Sequence, residues 1–287
     1  MFKTLLVHLR GTTGDRACLA AALPIAQAFK SHLEGFYVRP NLAELVARTM
    51  SMNQDLTLTT EMMETLRQQS NETAERSFLA FAEFCEHHDI PRAEIPQTGN
   101  RPIASLRERM GDEVKVLIEQ SRYYDLLVVK GGYAESGGLS VNELGRLVTS
   151  SGRPILLAPT SPARPINTVL IAWKDAPEAA RALTAALPVL QQAQNVFVVT
   201  AGEDDEPMAD CEKVVRYLSW YNVTASAHHI PPRQRTSYDA ILETARANDV
   251  DLLVTGAYGH HRLAEFVFGG FTQGMFDDAS LPVLFLH

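Results

Sequence analysis

Cysteine is scarce in this chain. Three occur in 287 residues, at Cys18, Cys85 and Cys211, far apart and without a C-x2-C pair, which excludes a disulfide framework and points to reduced thiols that pack inside a cytoplasmic protein. Long hydrophobic runs are missing as well. The opening MFKTLLVHLRGTTGD holds one Lys and a short apolar run broken by His8 and Arg10, so it reads as neither a secretory signal nor a membrane span. No Lys/Arg block stands out against a net charge of −8 and a pI near 5.6, which leaves no footprint for nucleic acid. Histidines pair at His87-His88, His228-His229 and His260-His261. Adjacent residues point apart on a helix or strand, and no H-x3-H or C-x2-C spacing occurs, so no metal site is assigned. No carboxylate pair has a spacing suited to acid–base work, and the serines around Ser136 and Ser140 form no nucleophile elbow. No catalytic residue is named.

What is present is a repeat. KTLLVHLRG from Lys3 matches NTVLIAWKD from Asn167, and the register holds without a gap until AALPIAQA at Ala21 meets AALPVLQQ at Ala185, an offset of 164. DLLV at Asp125 recurs at Asp251, an offset of 126, and RPILLAP from Arg153 answers LPVLFLH from Leu281. Two copies of one plan follow, with about 38 extra residues in the first, assigned to residues 41–77. With 46% hydrophobic and 21% charged residues, the chain has the composition of two ordinary globular domains. Their expected limits are 1–160 and 166–287, joined by the proline-bearing TSPARP from Thr160 to Pro165.

Short aliphatic runs alternate with helical patterns, which predicts strand–helix–strand units and a parallel sheet in an α/β fold. The expected strands are 4–9, 33–38, 93–97, 126–130 and 155–158, then 168–172, 195–200, 224–228, 252–255 and 283–286. The expected helices are 15–30, 60–87 and 103–121, then 177–191, 208–221 and 238–248. Pro24 and Pro188 fall inside helical patterns that continue past both. The extra segment ends with Phe78, Phe81 and Phe84 spaced three apart. It reads as a helix whose Met and Phe stripe packs on the sheet, the alternative being a lid or partner surface.

The segment TGAYGHHRLAEFVFGGFT, Thr255 to Thr272, follows the apolar DVDLLV and spaces its glycines as G-x2-G-x9-G-G-x-T. Glycines after a strand let a chain turn tightly and let phosphate oxygens reach main-chain N–H groups at the carboxyl edge of a parallel sheet. Thr272 offers a helix cap and a hydroxyl to the same phosphates.

These motifs together resemble the universal stress protein family, with nearly the whole chain covered by two tandem copies. The resemblance rests on LLVHL and VLIAW, the two DLLV runs, the glycine segment, RPILLAP and LPVLFLH. It implies two tandem Rossmann-like domains, each an open five-stranded parallel sheet with helices on both faces. It also implies that the halves meet as a pseudo-dimer through 155–158 and 283–286, covering two sheet edges. A nucleotide site carries over as Gly256, Gly259 and Gly269 in the phosphate loop, with Gly270, Phe271 and Thr272 beside them. Thr255, Tyr258 and His260 fall within the same stretch, and Ala172 and Trp173 line the adenine side.

Nucleotide-binding members place an Asp just after the first strand, where this chain has Arg10 and Lys174. Neither accepts a ribose hydroxyl; Lys174 reads either as a contact to phosphate or as a solvated Lys at a loop edge. In the first half Lys130 and Tyr133 align with the leading glycines, or Gly131 and Ala134 after a one-residue slip, and Val141 stands where the second half has Gly269. No triphosphate is expected there.

Two readings stay open from the sequence. One is a stress-response regulator that binds ATP or a related adenine nucleotide, with Mg, in its second half and catalyses nothing. The other is a nucleotide-independent module for protein interaction or a small apolar ligand, in which the glycines are turn residues. A slow ATPase is weaker, since no base is in sight. The open partners are a second copy of the chain and a regulatory protein.

Overall fold

The computed structural model describes residues 1–43, 60–94, 99–132, 137–159, 164–201, 207–231, 236–257 and 280–287. In chain order the strands are β1 (Thr4–Leu9), β2 (His32–Pro40), β3 (Ile103–Gly111), β4 (Leu126–Lys130) and β5 (Ile155–Ala158), then β6 (Thr168–Ala172), β7 (Asn195–Ala201), β8 (Ser226–Ile230), β9 (Leu252–Gly256) and β10 (Val283–Leu286). The helices among the described residues are α1 (Gly14–Phe29), α2 (Thr60–His87), α3 (Glu113–Ser121) and α4 (Val141–Ser151), then α5 (Pro177–Leu190), α6 (Pro207–Ser219) and α7 (Ser237–Ala247).

One sheet of ten strands runs β3-β2-β1-β4-β5-β10-β9-β6-β7-β8. Within each half every pairing is parallel. The halves join where β5 and β10 pair antiparallel, Ile155 opposite Phe285 and Leu157 opposite Val283. All of these side chains are buried, so the join removes two edges that would otherwise present unpaired backbone to solvent. Alternation along the strands splits the core in two. Val7, Val128, Ile171 and Val254 face α1, α2, α5 and α6, while Leu6, Val129, Leu170 and Leu253 face α3, α4 and α7.

The repeated DLLV acts as a latch at the amino edge. Asp125 Oδ2 accepts from Lys3 N at 2.7 Å and Thr4 N at 3.0 Å, and Asp251 Oδ2 accepts from Asn167 N and Thr168 N, both at 3.0 Å. Each carboxylate thus fixes the start of its half's central strand against its neighbour.

The structure changes three expectations. Residues 103–111 form strand β3, and the helix there begins only at Glu113. Across the sheet Ser105 stands opposite Glu34, its Oγ donates to Glu34 at 3.2 Å, and Arg107 pairs with Glu34 at 3.1 Å. Tyr124 Oη donates to the same carboxylate. Distant partners therefore override the local helical pattern. Asp112 caps α3 by accepting from Lys115 N at 3.0 Å. The strand expected at 93–97 is reduced to a bridge between Arg92 and Ala104, and residues 95–98 lie outside those described. Helix α4 was not expected, although Ser140 and Glu143 form its capping box.

Elsewhere β8 sits two residues later than read, and α1 and α5 run through Pro24 and Pro188. In the extra segment Phe81 is fully buried, its ring seated on Gly35 of β2, where a Cβ would lie 2.6 Å from it. Residues 44–59 of that segment and 160–163 of the linker lie outside the described residues.

Candidate functional site

Strand order reverses between β6 and β9, since β6 leads on to β7 in one direction and β9 to β10 in the other. Open parallel sheets bind ligands at the carboxyl side of such a switch point. Ala172 lies opposite Thr255, so Trp173 and Lys174 leave β6 beside Gly256 and Ala257 at the end of β9. Five of the residues singled out in the sequence, Ala172, Trp173, Lys174, Thr255 and Gly256, therefore meet at one edge. Tyr258, Gly259, His260, Gly269, Gly270, Phe271 and Thr272 lie outside the described residues.

The five play different parts. Ala172 faces the α7 side of the sheet, whereas the Trp173 ring packs on the α5–α6 side, so the Trp173 backbone borders the crevice and its N donates to Val199 O at 2.8 Å. Lys174 is exposed. Thr255 is buried and its Oγ1 donates to Gly256 O at 3.2 Å.

Gly256 is where the first turn of α5 comes down on the sheet. A Cβ there would lie 2.6 Å from Ala179 N and 2.8 Å from the Glu178 carbonyl carbon and Cγ, so only glycine fits. Helix α5 opens with Pro177 after Ala176, which has no side-chain cap to offer, and the N–H groups of its first turn are left to other acceptors. Such a helix start, with its partial positive charge, draws anions.

Glu178 is the residue the sequence reading missed. It is 7% exposed, lies across Gly256, and has no hydrogen-bond or ion-pair partner among the described residues. Its carboxylate oxygens still reach solvent and can accept hydrogen bonds from a ligand at this edge. The available signal was Pro177-Glu178 aligned with Thr13-Gly14 of the first half, but an acid in a first helical turn reads simply as complementing the helix dipole.

The first half fills the matching crevice with its own side chains. Arg10, which occupies the place of Lys174, forks onto Glu113 with Nε to Oε1 at 2.9 Å and Nη2 to Oε2 at 3.0 Å, and also donates to Gly138 O. His8 Nε2 lies 2.9 Å from the same Glu113 Oε1. Burial alone would raise the Glu113 pKa, but the hydrogen bonds and charges of His8 and Arg10 outweigh it and hold the carboxyl at about 2. Gly11 lies under α2, where a Cβ would come 2.2 Å from Thr73 O, and Arg76 Nε donates to Gly11 O at 3.1 Å. At the place of Gly256 stands Lys130, buried, with Nζ donating to Ala158 O at 3.3 Å.

Lys130 and Gly256 are half of an exchange. The residue matching Glu178 is Gly14, and the Lys130 Cγ lies 3.3 Å from where a Gly14 Cβ would stand. One half puts the side chain on the strand and glycine on the helix, and the other does the reverse. Space for one side chain exists at each contact.

Among the described residues no group of His, Cys, Asp and Glu is arranged to hold a metal ion, and no helix is long and apolar enough to cross a membrane. His229 Nδ1 lies 3.2 Å from Thr200 Oγ1, while the His228 ring packs against Phe197 at 5.6 Å, so this histidine pair is divided between the two faces of β8. All three cysteines are free and buried, and burial pushes the Cys85 thiol up to about 11.

Comparison with known proteins follows the same outline. Residues 228–287 match the Universal stress protein family model. Over its full length the chain is similar in fold to a crystal structure of a universal stress protein from Archaeoglobus fulgidus, with a TM-score of 0.69, 15% identity, and 99% of this chain and 97% of that chain covered. A protein called a universal stress protein from Pseudomonas aeruginosa matches with a TM-score of 0.55 at 15% identity, covering 99% and 93% of the two chains. A functionally unknown protein from the same species gives 0.54 at 14%, covering 99% and 92%. No curated protein sequence matches. The chain carries a universal stress protein domain in its second half and has the fold of two such domains in tandem.

Proposed function

We propose that the protein is a ligand-responsive regulator of the universal stress type that holds ATP, or a close adenine relative, at the second-half crevice and does no chemistry on it. The observation that carries this reading is the difference between the crevices: the second has glycine under an uncapped helix start, and the first is filled by Arg10 and Lys130. The first turn of α5 and the main chain at Gly256 supply donors to phosphate oxygens, joined by Gly259, Gly269, Gly270 and Thr272 of the glycine segment. Glu178 accepts the ribose hydroxyls that Lys174 cannot. Ala172 and the Trp173 main chain border the adenine, Lys174 and an accompanying Mg ion balance phosphate charge, and the liganded state is read by a partner protein. Catalysis is left out because Glu178, the carboxylate described across Gly256, is assigned to the ribose hydroxyls rather than to an attacking water.

Calorimetry with ATP on protein stripped of ligand tests the reading. One site per chain is expected, lost in Gly259→Asp, with no ATP turnover. Glu178→Ala weakens ATP about tenfold, the cost of hydrogen bonds to a charged acceptor, and leaves 2′,3′-dideoxy-ATP unchanged. No binding at millimolar ATP by folded protein would end the proposal in favour of a nucleotide-independent module.

A further inference from the structure

Helices α5 and α6 stand apart where α1 and α2 of the first half close on each other. In the first half Arg16 on α1 reaches Glu83 on α2, Nη2 to Oε2 at 3.1 Å, above the fully buried Phe81. The repeat puts Ala180 in the place of Arg16 and Trp173 in that of Leu9. With the short residue there, a cavity of about 340 Å3 lies between α5 and α6. Trp173, Leu183 and Tyr217 form apolar wall, and Asp175, Asp210 and Lys213 stand around it. Lys213 is already engaged, its Nζ 3.0 Å from Asp210 Oδ1, while Asp175 is exposed and makes no ion pair among the described residues.

We propose that this groove binds a small organic cation, an ammonium group carried on an aromatic or aliphatic body. Its volume falls within the range of small-molecule sites, and an apolar wall with a few polar groups at the mouth is their usual make-up. The walls take the body out of water, and the aromatic rings of Trp173 and Tyr217 that line the groove favour a cation over an anion. Two carboxylates against one paired ammonium leave the mouth negative, on a chain whose net charge is −8. An anionic ligand would meet Asp175 and find Lys213 occupied. The groove opens between α5 and α6, on the face where the Trp173 ring packs, and its mouth at Asp175 adjoins the carboxyl-edge crevice where the nucleotide is placed.

The test uses Trp220→Phe, which leaves Trp173 as the sole indole and removes an exposed one. Naphthylmethylammonium is titrated against it, with naphthylmethanol and naphthoate as neutral and anionic counterparts. The cation is expected to change Trp173 fluorescence saturably and to bind about tenfold tighter than the alcohol, with naphthoate silent. Asp175→Asn costs about two- to fivefold, as for an exposed charge pair. Ala180→Arg, which restores the first-half residue at an exposed helix position, removes binding while the thermal midpoint holds. Saturating ATP leaves the titration unchanged. No saturable signal, equal binding of all three probes, or full binding by Ala180→Arg would each overturn the proposal, and so would competition by ATP, which would put the probe in the crevice.

Discussion

The two halves share strand order, latch aspartates and helix layers, yet their described residues differ at the carboxyl edge and between the first two helices of each half. In the first, Arg10 is locked by Glu113, Lys130 is buried under α1, and Arg16 closes the helix gap. In the second the matching residues are Lys174, Gly256 and Ala180. At these three corresponding places the side chains that fill the first half give way, among the described residues of the second, to an exposed Lys, a Gly and an Ala, without disturbing the backbone plan. A duplicated domain can thus use one copy as scaffold and keep the other as the receptor, because a scaffold gains stability from filling the space a receptor must leave empty.

The largest effect should come from breaking the exchange at the helix–strand contact. Gly256→Lys alone puts a side chain into the α5 main chain and is expected to cost about 2–3 kcal/mol, read by urea unfolding. Adding Glu178→Gly reproduces the first-half arrangement and should return most of that loss. If the double variant is no better than the single, the two contacts are not sterically equivalent. Next comes the Arg10 lock. Arg10→Ala leaves Glu113 facing His8 alone at a part-buried site and should cost about 1–3 kcal/mol, whereas Lys174→Ala at the exposed match stays within about 0.5 kcal/mol. Equal losses would remove the distinction drawn between the crevices.

A further effect should appear with pH. The Glu113 pKa is lowered from 4.5 to about 2 in the folded protein, so its contribution is present above 4.5 and fades as pH falls from 4.5 towards 2. Glu113→Gln should flatten that part of the stability–pH curve, and an unchanged curve would show that His8 and Arg10 do not hold the carboxylate as the geometry indicates.

Much of this was legible beforehand. The repeat offsets located β1, β4, β5, β6 and β10 to the residue, because buried parallel strands read as short aliphatic runs. The pairing of β5 with β10 also followed, once the resemblance supplied the reason for two apolar edges to meet. β3 was not legible, since Ser105 and Arg107 are held by a carboxylate some seventy residues away, at Glu34. Of the candidate site, Gly256 and Trp173 were singled out by spacing and position, and the direction of the Trp173 ring was not legible; Gly259, Gly269 and Gly270 lie outside the described residues. Glu178 and the Arg10–Glu113–His8 cluster escaped altogether, because their meaning depends on neighbours that only folding supplies.

By itself the sequence determined the duplication, the α/β plan and the half in which a glycine turn survives, since those are written in local periodicity and spacing. Only the tertiary structure decided that the first-half crevice is filled by Arg10 and Lys130 and which described side chains stand at the other. Occupancy of space is a property of residues brought together from a hundred positions apart, and it comes into being when the layers pack.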